Sequence, residues 1–559
     1  MKPTLLASLS FFALGTASWG ACPAGDPAQL IQGSTWAFQT ITGEAALNGS
    51  ASVGTFRGLA NGQLQITETV STGGYIMRGA QHSGRYEVYA DCSGGQLMFM
   101  LNRAFVQLEF VFQSNFEEMY LVSETLPEVN FLAPTRVGPK PKAIVIGRGG
   151  GGGAVLTGIA KRTPVQACPA GVVSPLEILN RTSWAFQTHS AYLAFLEMSG
   201  SASVGVLNAS VVNGAGVLSA IETVSGGSPG TLTRRALESG RYIINSDCSG
   251  GELMLMNRGN PSNPVQLEFV FVGANFDEIY FLNDALPSGN GDLIAGQAKK
   301  FVTAPACPAD PATLIQGSSW AFQLRAGDFY EEGSASVGRF QVLPGGRLQV
   351  TETISNRGVI NRQVQHGGSY ILYADCTGGE LLFDVNGRAV QLEFVYAGGT
   401  DDLYLVSDSD TSGDSVLTGV AKRTPAQACP AQPLSVISGT DWGFRTRAAY
   451  ALTNSIEYDP SVGIFTPTVV AGAGVIQATE TVNTSQGGLT RRAPESGRYQ
   501  IYPDCSGGEI LLMNRGIPST PAQLEFVFAG PGFNQMYLLN DGVPAAGGID
   551  VLVGEAKRF

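Results

Sequence analysis

The sequence predicts an all-β protein of four tandem antiparallel up-and-down β-barrels, about eight strands each, with a β-sandwich as the alternative topology. Three observations predict it. At about 150 residues per domain, 559 residues make three or four domains and not one large core. One sequence unit then recurs four times. Inside each unit, apolar and polar residues alternate in short runs separated by Gly, Asn and Ser, the pattern of half-buried strands joined by hairpin turns.

Composition supports a folded chain. Hydrophobic residues are 44% and charged residues 14%, the latter well below the usual figure of about 25%. Gly (72) and Pro (29) together make about 18%, short of the roughly 25–30% of low-complexity disorder. A formal charge of −12 excludes nucleic acid and anionic membrane as partners, because binding phosphate takes clustered Lys and Arg.

Residues 1–20 read as a secretory signal peptide. Lys2 gives a positive start, residues 5–17 an apolar stretch, and Ser18-Trp19-Gly20 small residues at the −3 and −1 positions of a cut before Ala21. The apolar run is shorter than the roughly 20 residues of a membrane span. The protein is therefore expected to be secreted and extracellular.

The repeat opens with ACPAGDPAQLIQGSTWAFQT from Ala21 and returns from Ala167, Ala306 and Ala428, the last ending in Trp-Gly-Phe-Arg where the others have Trp-Ala-Phe-Gln. Each copy continues through Ser-Val-Gly (Ser52, Ser203, Ser336, Ser461), Glu-Thr, Asp-Cys and Gln-Leu-Glu-Phe, and closes on Ala-Lys-Arg or Ala-Lys-Lys. Copies one and three share Tyr-Ala-Asp-Cys and Gln-His; copies two and four share Leu-Thr-Arg-Arg-Ala and Leu-Met-Asn-Arg-Gly. This A-B-A-B order implies a pair that duplicated as a pair. The units are placed at 21–163, 164–302, 303–424 and 425–559, each of a size to fold by itself.

In the first unit the alternating runs are 36–41, 51–57, 63–71, 75–80, 85–89, 96–101, 106–112, 119–122 and 155–160. A helical turn precedes the first strand, since Asp26-Pro27, Ser174-Pro175 and Asp310-Pro311 each put an N-cap residue before proline. Residues 134–153 form a Gly-rich insertion that lacks the Gly-Lys-Ser/Thr ending of a phosphate loop.

Eight cysteines fall two to a copy: Cys22 and Cys92, Cys168 and Cys248, Cys307 and Cys376, Cys429 and Cys505. Pairing within each copy is the economical scheme in an oxidising compartment. Without Cys-x-x-Cys and with three histidines in the chain, zinc is not expected; no metal and no cofactor is.

One polar constellation stands out. Glu68, Glu222, Glu352 and Glu480 sit in the apolar register of their strands, and Arg78, Arg234, Arg362 and Arg491 follow on the next. Counting outward from a turn near Gly73 sets residue 68 opposite 78, so a cross-strand Glu–Arg pair is expected inside each barrel. It is either a self-satisfied buried pair or the polar anchor of a cavity, and its members are the candidate catalytic residues. Glu109, Glu268, Glu393 and Glu525 of Gln-Leu-Glu-Phe point the other way and are expected in solvent. Trp36, Trp184, Trp320 and Trp442 are expected as barrel-floor packing. Gln81-His82 and Gln365-His366 recur in only two copies. Asn48, Asn180, Asn208 and Asn483 head glycosylation sequons. The Lys-Arg pairs at 161–162, 422–423 and 557–558 read as the charged end of an edge strand or as dibasic cleavage sites that would release single units.

The Gly-Ser-x-Trp opening from Gly33, the hairpins and the Gly-x-Ala-Lys-Arg closing strand resemble a small closed barrel of the calycin or allene-oxide-cyclase-like kind, with one residue more than the Gly-x-Trp of lipocalins. The resemblance implies a lipocalin-like barrel that holds a small apolar ligand, or in some cases runs a cyclisation or isomerisation. The expected function is non-catalytic binding of a small ligand or an extracellular surface. A secreted isomerase or cyclase and a structural wall or matrix protein with solid barrels are the alternatives.

Overall fold

The computed structural model describes the chain outside residues 1–21, 23–24, 43–49, 73–74, 102–103, 114–115, 124–155, 164–167, 170–171, 193–201, 226–231, 257–263, 274, 284–292, 302–306, 327–333, 357–358, 386–387, 408–415, 426–427, 451–459, 485–487, 514–521 and 542–550. The signal segment, the Gly-rich insertion and Asn48 lie outside the described residues.

The first barrel is β1 (Thr35–Thr42), β2 (Ser50–Gly58), β3 (Gln63–Thr72), β4 (Tyr75–Val88), β5 (Gly94–Leu101), β6 (Ala104–Gln113), β7 (Glu118–Ser123) and β8 (Leu156–Thr163). Each strand pairs antiparallel with its neighbour, and β8 returns to β1 from Thr35↔Thr163 to Thr42↔Leu156. That closure excludes the sandwich. It also removes the sheet edge that the terminal Lys-Arg pairs were expected to guard. The runs 75–80 and 85–89 merge into the long β4, so nine alternating runs become eight strands. The other three units close in the same order.

The interior follows from the alternation. Inward residues of β1, β2 and β6 bring Trp36, Phe38, Phe56, Phe110 and Phe112 together, with Trp36 stacked on Phe56 at 6.1 Å. Trp36 Nε1 donates to Ser34 Oγ, and Ile31 plugs the floor beneath it. The turn that leads in is a 3-10 segment, Pro27–Leu30, whose Asp26 cap accepts from the Ala28 N–H. Asp310 caps in the same way, whereas Ser174 makes no side-chain cap bond.

Disulfides Cys22–Cys92, Cys168–Cys248, Cys307–Cys376 and Cys429–Cys505 tie each lead-in to the turn after the fourth strand. Closing loops of 69 to 80 residues, they stabilise each barrel by about 4 kcal/mol in the chain-entropy account. Such bonds suit a compartment outside the reducing cytosol.

The four barrels close into a ring. In the second barrel, β9 (Thr182–Tyr192) and β10 (Ala202–Val212) are the opening strands, and β14 (Val265–Val272) and β15 (Glu278–Asn283) the sixth and seventh. Their counterparts are β17 (Ser319–Ala326), β18 (Ser334–Leu343), β22 (Arg388–Tyr396) and β23 (Asp402–Ser407) in the third barrel. In the fourth they are β25 (Trp442–Tyr450), β26 (Ser461–Val470), β30 (Ala522–Ala529) and β31 (Gln535–Asp541). The opening strands of each barrel pack on the sixth and seventh of the next: β1/β2 on β14/β15, β9/β10 on β22/β23, β17/β18 on β30/β31 and β25/β26 on β6/β7. Every contact is head-to-tail, and the fourth returns to the first barrel, so one chain makes a closed pseudo-fourfold ring. Each seam has its own small apolar cluster, for example Ala37, Val53, Val272 and Tyr280 between barrels one and two.

Candidate functional sites at the seams and barrel mouths

Outward residues near the ring axis form a cycle of alternating charge. Strand register places Glu118 opposite Lys161, Glu278 opposite Lys299, Asp402 opposite Lys422 and Gln535 opposite Lys557. Across the seams, Lys161 Nζ reaches Glu278 at 2.6 Å, Lys299 reaches Asp402 at 2.8 Å, Lys422 reaches Gln535 Oε1 at 3.1 Å and Lys557 reaches Glu118 at 2.6 Å. Eight side chains thus complete a circle. Gln535 stands where the other barrels have a carboxylate; its Nε2 donates to Glu555 at 3.2 Å, and Glu555 pairs with Arg445 of the same barrel at 2.7 Å. Beside the cycle, Tyr120, Tyr280, Tyr404 and Tyr537 are buried. The lysines hold the Glu118 and Asp402 carboxyls below their usual range, and Arg445 with Lys557 brings Glu555 down to about 2.

The closing lysines of the repeat are therefore seam residues. The arginines that follow cover the barrel floors: Arg162 lies over Trp36 at 5.2 Å and Arg423 over Trp320 at 5.0 Å. Further out, Gln39 Nε2 donates to two carbonyls of the second barrel, those of Phe281 and Gly296; Gln187 and Gln323 repeat the contact one and two seams on.

The Glu–Arg prediction needs correction. A β-bulge after Glu68 sets Glu68 opposite Ala80, not Arg78, and the same bulge recurs after Glu222, Glu352 and Glu480. The turn count fails by two residues: Thr72↔Tyr75 centres the hairpin between positions 73 and 74 and not on Gly73, and the bulge adds one more residue to β4. Arg78, on the outer wall, instead meets Glu268 of the next barrel at 2.6 Å. Likewise Arg234 meets Glu393, Arg362 meets Glu525 and Arg491 meets Glu109, at 3.8 to 3.9 Å. The Gln-Leu-Glu-Phe glutamates expected in solvent are thus seam residues, and Glu109 is 1% exposed. Tyr89, Tyr373 and Tyr502 hydroxyls donate to Glu109, Glu393 and Glu525, and Arg492 lies over Tyr89 while reaching Asp91 at 2.6 Å.

Burial dominates these carboxyls and pushes Glu109 up to about 7, against the pull of Tyr89, Arg491 and Arg492; Glu268, Glu393 and Glu525 are raised as well. A raised folded pKa means the native state binds more protons than the unfolded chain, so stability falls as pH climbs from about 4.5 to about 7. Glu555 acts oppositely and loses its contribution as pH falls towards about 2. Melting temperature is expected to peak near pH 5 and to decline by pH 8, with Glu109 alone worth about 3 kcal/mol. In Glu109→Gln the decline is shallower; an unchanged slope refutes the assignment.

A second polar set occupies the end of each barrel away from the tryptophan. Glu68 lies 3.3 Å from His82 Nε2, and Glu352 lies 3.2 Å from His366 Nε2. In barrels two and four the histidine position holds Glu238 and Glu495, opposite Ala220 and Ala478 as His82 is opposite Ile66. Glu352 raises the His366 pKa, and burial opposes it. Thr40 with Ser52, and Ser123 accepting from the Leu156 N–H, complete the layer; Asn283 and Asn540 stand where barrels one and three have serine. The glycine of Ser-Val-Gly makes room for the glutamate, since a Cβ on Gly54 would stand 2.7 Å from Glu68 Cβ. The partner of the glutamate escaped the sequence reading because it is His in two copies and Glu in two, at offsets of 14 to 16 residues.

Above its floor the third barrel is filled among the described residues. The space left among Phe322, Phe340, Leu348 and Phe383 in barrel three is about 10 Å³, room for one water-sized sphere. Of the sequons, Asn208 is exposed on β10, while Asn180 is engaged by Glu177 and the Val211 N–H. Asn483 lies in the strand Ala473–Thr484, with its side chain outside the description.

No family model matches the chain, and no curated protein does. Among solved structures it is similar to a transferrin binding protein B mutant from Haemophilus parasuis, at 9% identity over 73% of this chain and 81% of that one, TM-score 0.19. It is also similar to transferrin binding protein B of serogroup B Neisseria meningitidis, at 12% identity over 73% and 80%, TM-score 0.21. A DUF3598-family protein of unknown function from Nostoc punctiforme matches at 13% identity over 51% and 98%, TM-score 0.15. Superpositions this loose carry no functional argument, and the architecture rests on the chain's own hydrogen bonding: four closed eight-stranded barrels in one ring.

Proposed function

We propose that the protein is a secreted, non-catalytic scaffold that engages an extracellular surface with the outer walls of its barrels. The observation that carries this is the packing of the third barrel, where the space left among the described core residues is far below the few hundred Å³ that a lipocalin-like ligand takes, and a buried Trp–Phe core recurs in the other three. Each barrel also carries large apolar side chains on its outside: Phe105, Leu237, Ile243, Ile371 and Val470 are exposed, Leu237 by 78%. Four linked walls give avidity without a strong single site. Depletion of the protein from solution by washed extracellular matrix or cell-wall particles is expected, reduced about threefold or more in L237S/I243S. A small molecule bound stoichiometrically in native mass spectra would contradict the reading.

A second reading, an isomerase or cyclase, is favoured by the buried pairs Glu68–His82 and Glu352–His366, which place titratable groups side by side as proton transfer requires, and by the second buried glutamate at the histidine position in barrels two and four. Its candidate residues are Glu68, Glu222, Glu352 and Glu480. The Arg members of the original pairs fall away, since they face the seams.

A further inference from the structure

The four seams share one plan, and the closing seam departs from it where the other three pack small apolar side chains. Where β1 meets β14, Ala37 packs with Val272; the next two seams pair Ala185 with Ala397 and Ala321 with Ala529. At the closing seam the same two positions hold Gly443 and Gln113. Both assignments are fixed by register: Ala37 and Gly443 stand opposite Lys161 and Lys557, and Gln113 stands opposite Glu118 as Val272 does opposite Glu278. The Gln113 side chain fills the space a methyl group would take, for a Cβ on Gly443 would lie 2.0 Å from its Nε2 and 2.7 Å from its Cδ.

Gln113 is wholly buried, and neither its Nε2 nor its Oε1 has a hydrogen-bond partner among the described residues. A buried amide left without partners costs stability, so packing strength does not explain its presence. Discrimination does. The three other opening strands present alanine here and would drive a methyl into Gln113; only the fourth barrel presents glycine. Arg445, also confined to the fourth barrel, adds a contact to the Gly158 carbonyl of the first at 3.4 Å.

We infer that Gly443 and Gln113 form a specificity key at the closing seam: the β6/β7 face of the first barrel accepts the opening strands of the fourth and rejects those of the other three. The partner this surface fits is the far end of its own chain. The key acts by exclusion, as discriminating interfaces commonly do. It prevents a ring of four nearly equivalent barrels from closing early, on the second or third, or from pairing two chains through the wrong barrels.

The test uses the full chain with a protease site between Val302 and Ala306, cut after folding. All four disulfides lie within barrels, so the halves are then held by two seams alone. Cut wild type is expected to run as one particle, with Gly443→Ala raising the dissociation rate at least about tenfold. Gln113→Ala alone is expected to match wild type or dissociate more slowly, and G443A/Q113A, which recreates the Ala–Ala contact of the third seam, to return to within about twofold of wild type. The key is overturned if Gly443→Ala dissociates at the wild-type rate, or if the double variant is no better than Gly443→Ala. Should cut wild type separate at once, hydrogen exchange of β6 and β25 in the uncut variants must follow the same order; equal exchange in all four also overturns it.

Discussion

Trp320→Ala is expected to destabilise the third barrel by about 3–5 kcal/mol, the cost of a large cavity in a core that cannot collapse. Trp320 is fully buried, stacks on Phe340 at 6.0 Å, donates Nε1 to Ser318 and lies under the Arg423 guanidinium. Removing the ring therefore empties the floor and takes a donor from the Ser318 hydroxyl and the ring face from under Arg423. Because β17/β18 and β22/β23 serve two different seams, loss of the third barrel opens both. Hydrogen exchange should thus accelerate beyond the barrel itself, in β10 and β30, and calorimetry should show a lower, broader transition. Exchange confined to residues 319–424 would mean that the barrels behave as independent beads. Trp320→Phe, which keeps a stacked ring, is expected to cost less than half as much.

Lys161→Met is expected to cost about 3 kcal/mol or more, the penalty for breaking a partly buried ion pair from one side. Lys161 is shared by Glu278 across the seam at 2.6 Å and Glu118 on the neighbouring strand. Without it, Glu278 faces only Lys299, which Asp402 already holds at 2.8 Å. Replacing both partners, K161M/E278L, should recover most of the loss, because the Lys299–Asp402 and Lys557–Glu118 links stay intact and the gap is filled by apolar atoms. Chemical denaturation of the two variants checks the order. If the double variant is as unstable as Lys161→Met, the cycle of charge is not what the seam depends on.

The barrels were legible in the sequence and the ring was not, for a physical reason. Alternation of period two reports which side chains face a strand's own core, so Trp36, Phe56 and Phe110 announce themselves, and the cysteine spacing announces the staples. Alternation cannot tell an outer face in water from an outer face against another barrel. Glu109, Lys161 and Gln39 have the composition of solvent-facing positions, and what marks them as seam residues is recurrence, in four copies for Glu109 and Lys161 and in three for Gln39. The bulge after Glu68 left no trace in residue type, since its special backbone falls on Gly79 in one copy but on Arg235, Gln363 and Arg492 in the others. The closing seam was written plainly: Trp-Gly-Phe-Arg in the fourth copy departs from Trp-Ala-Phe-Gln at the two positions that face the first barrel. A departure from a repeat becomes informative once the geometry shows what it touches.

The central claim is that one chain closes its four barrels into a ring, and zero-length carbodiimide cross-linking of the monomer in solution tests it most directly. Lys557 Nζ and Glu118 Oε1 stand 2.6 Å apart although 439 residues separate them in sequence. An amide bond between Lys557 and Glu118, recovered by peptide mass spectrometry at a yield comparable to Lys161–Glu278 and Lys299–Asp402, is the predicted result. Recovery of the latter two from monomer without Lys557–Glu118 would describe an open string of barrels and contradict the ring.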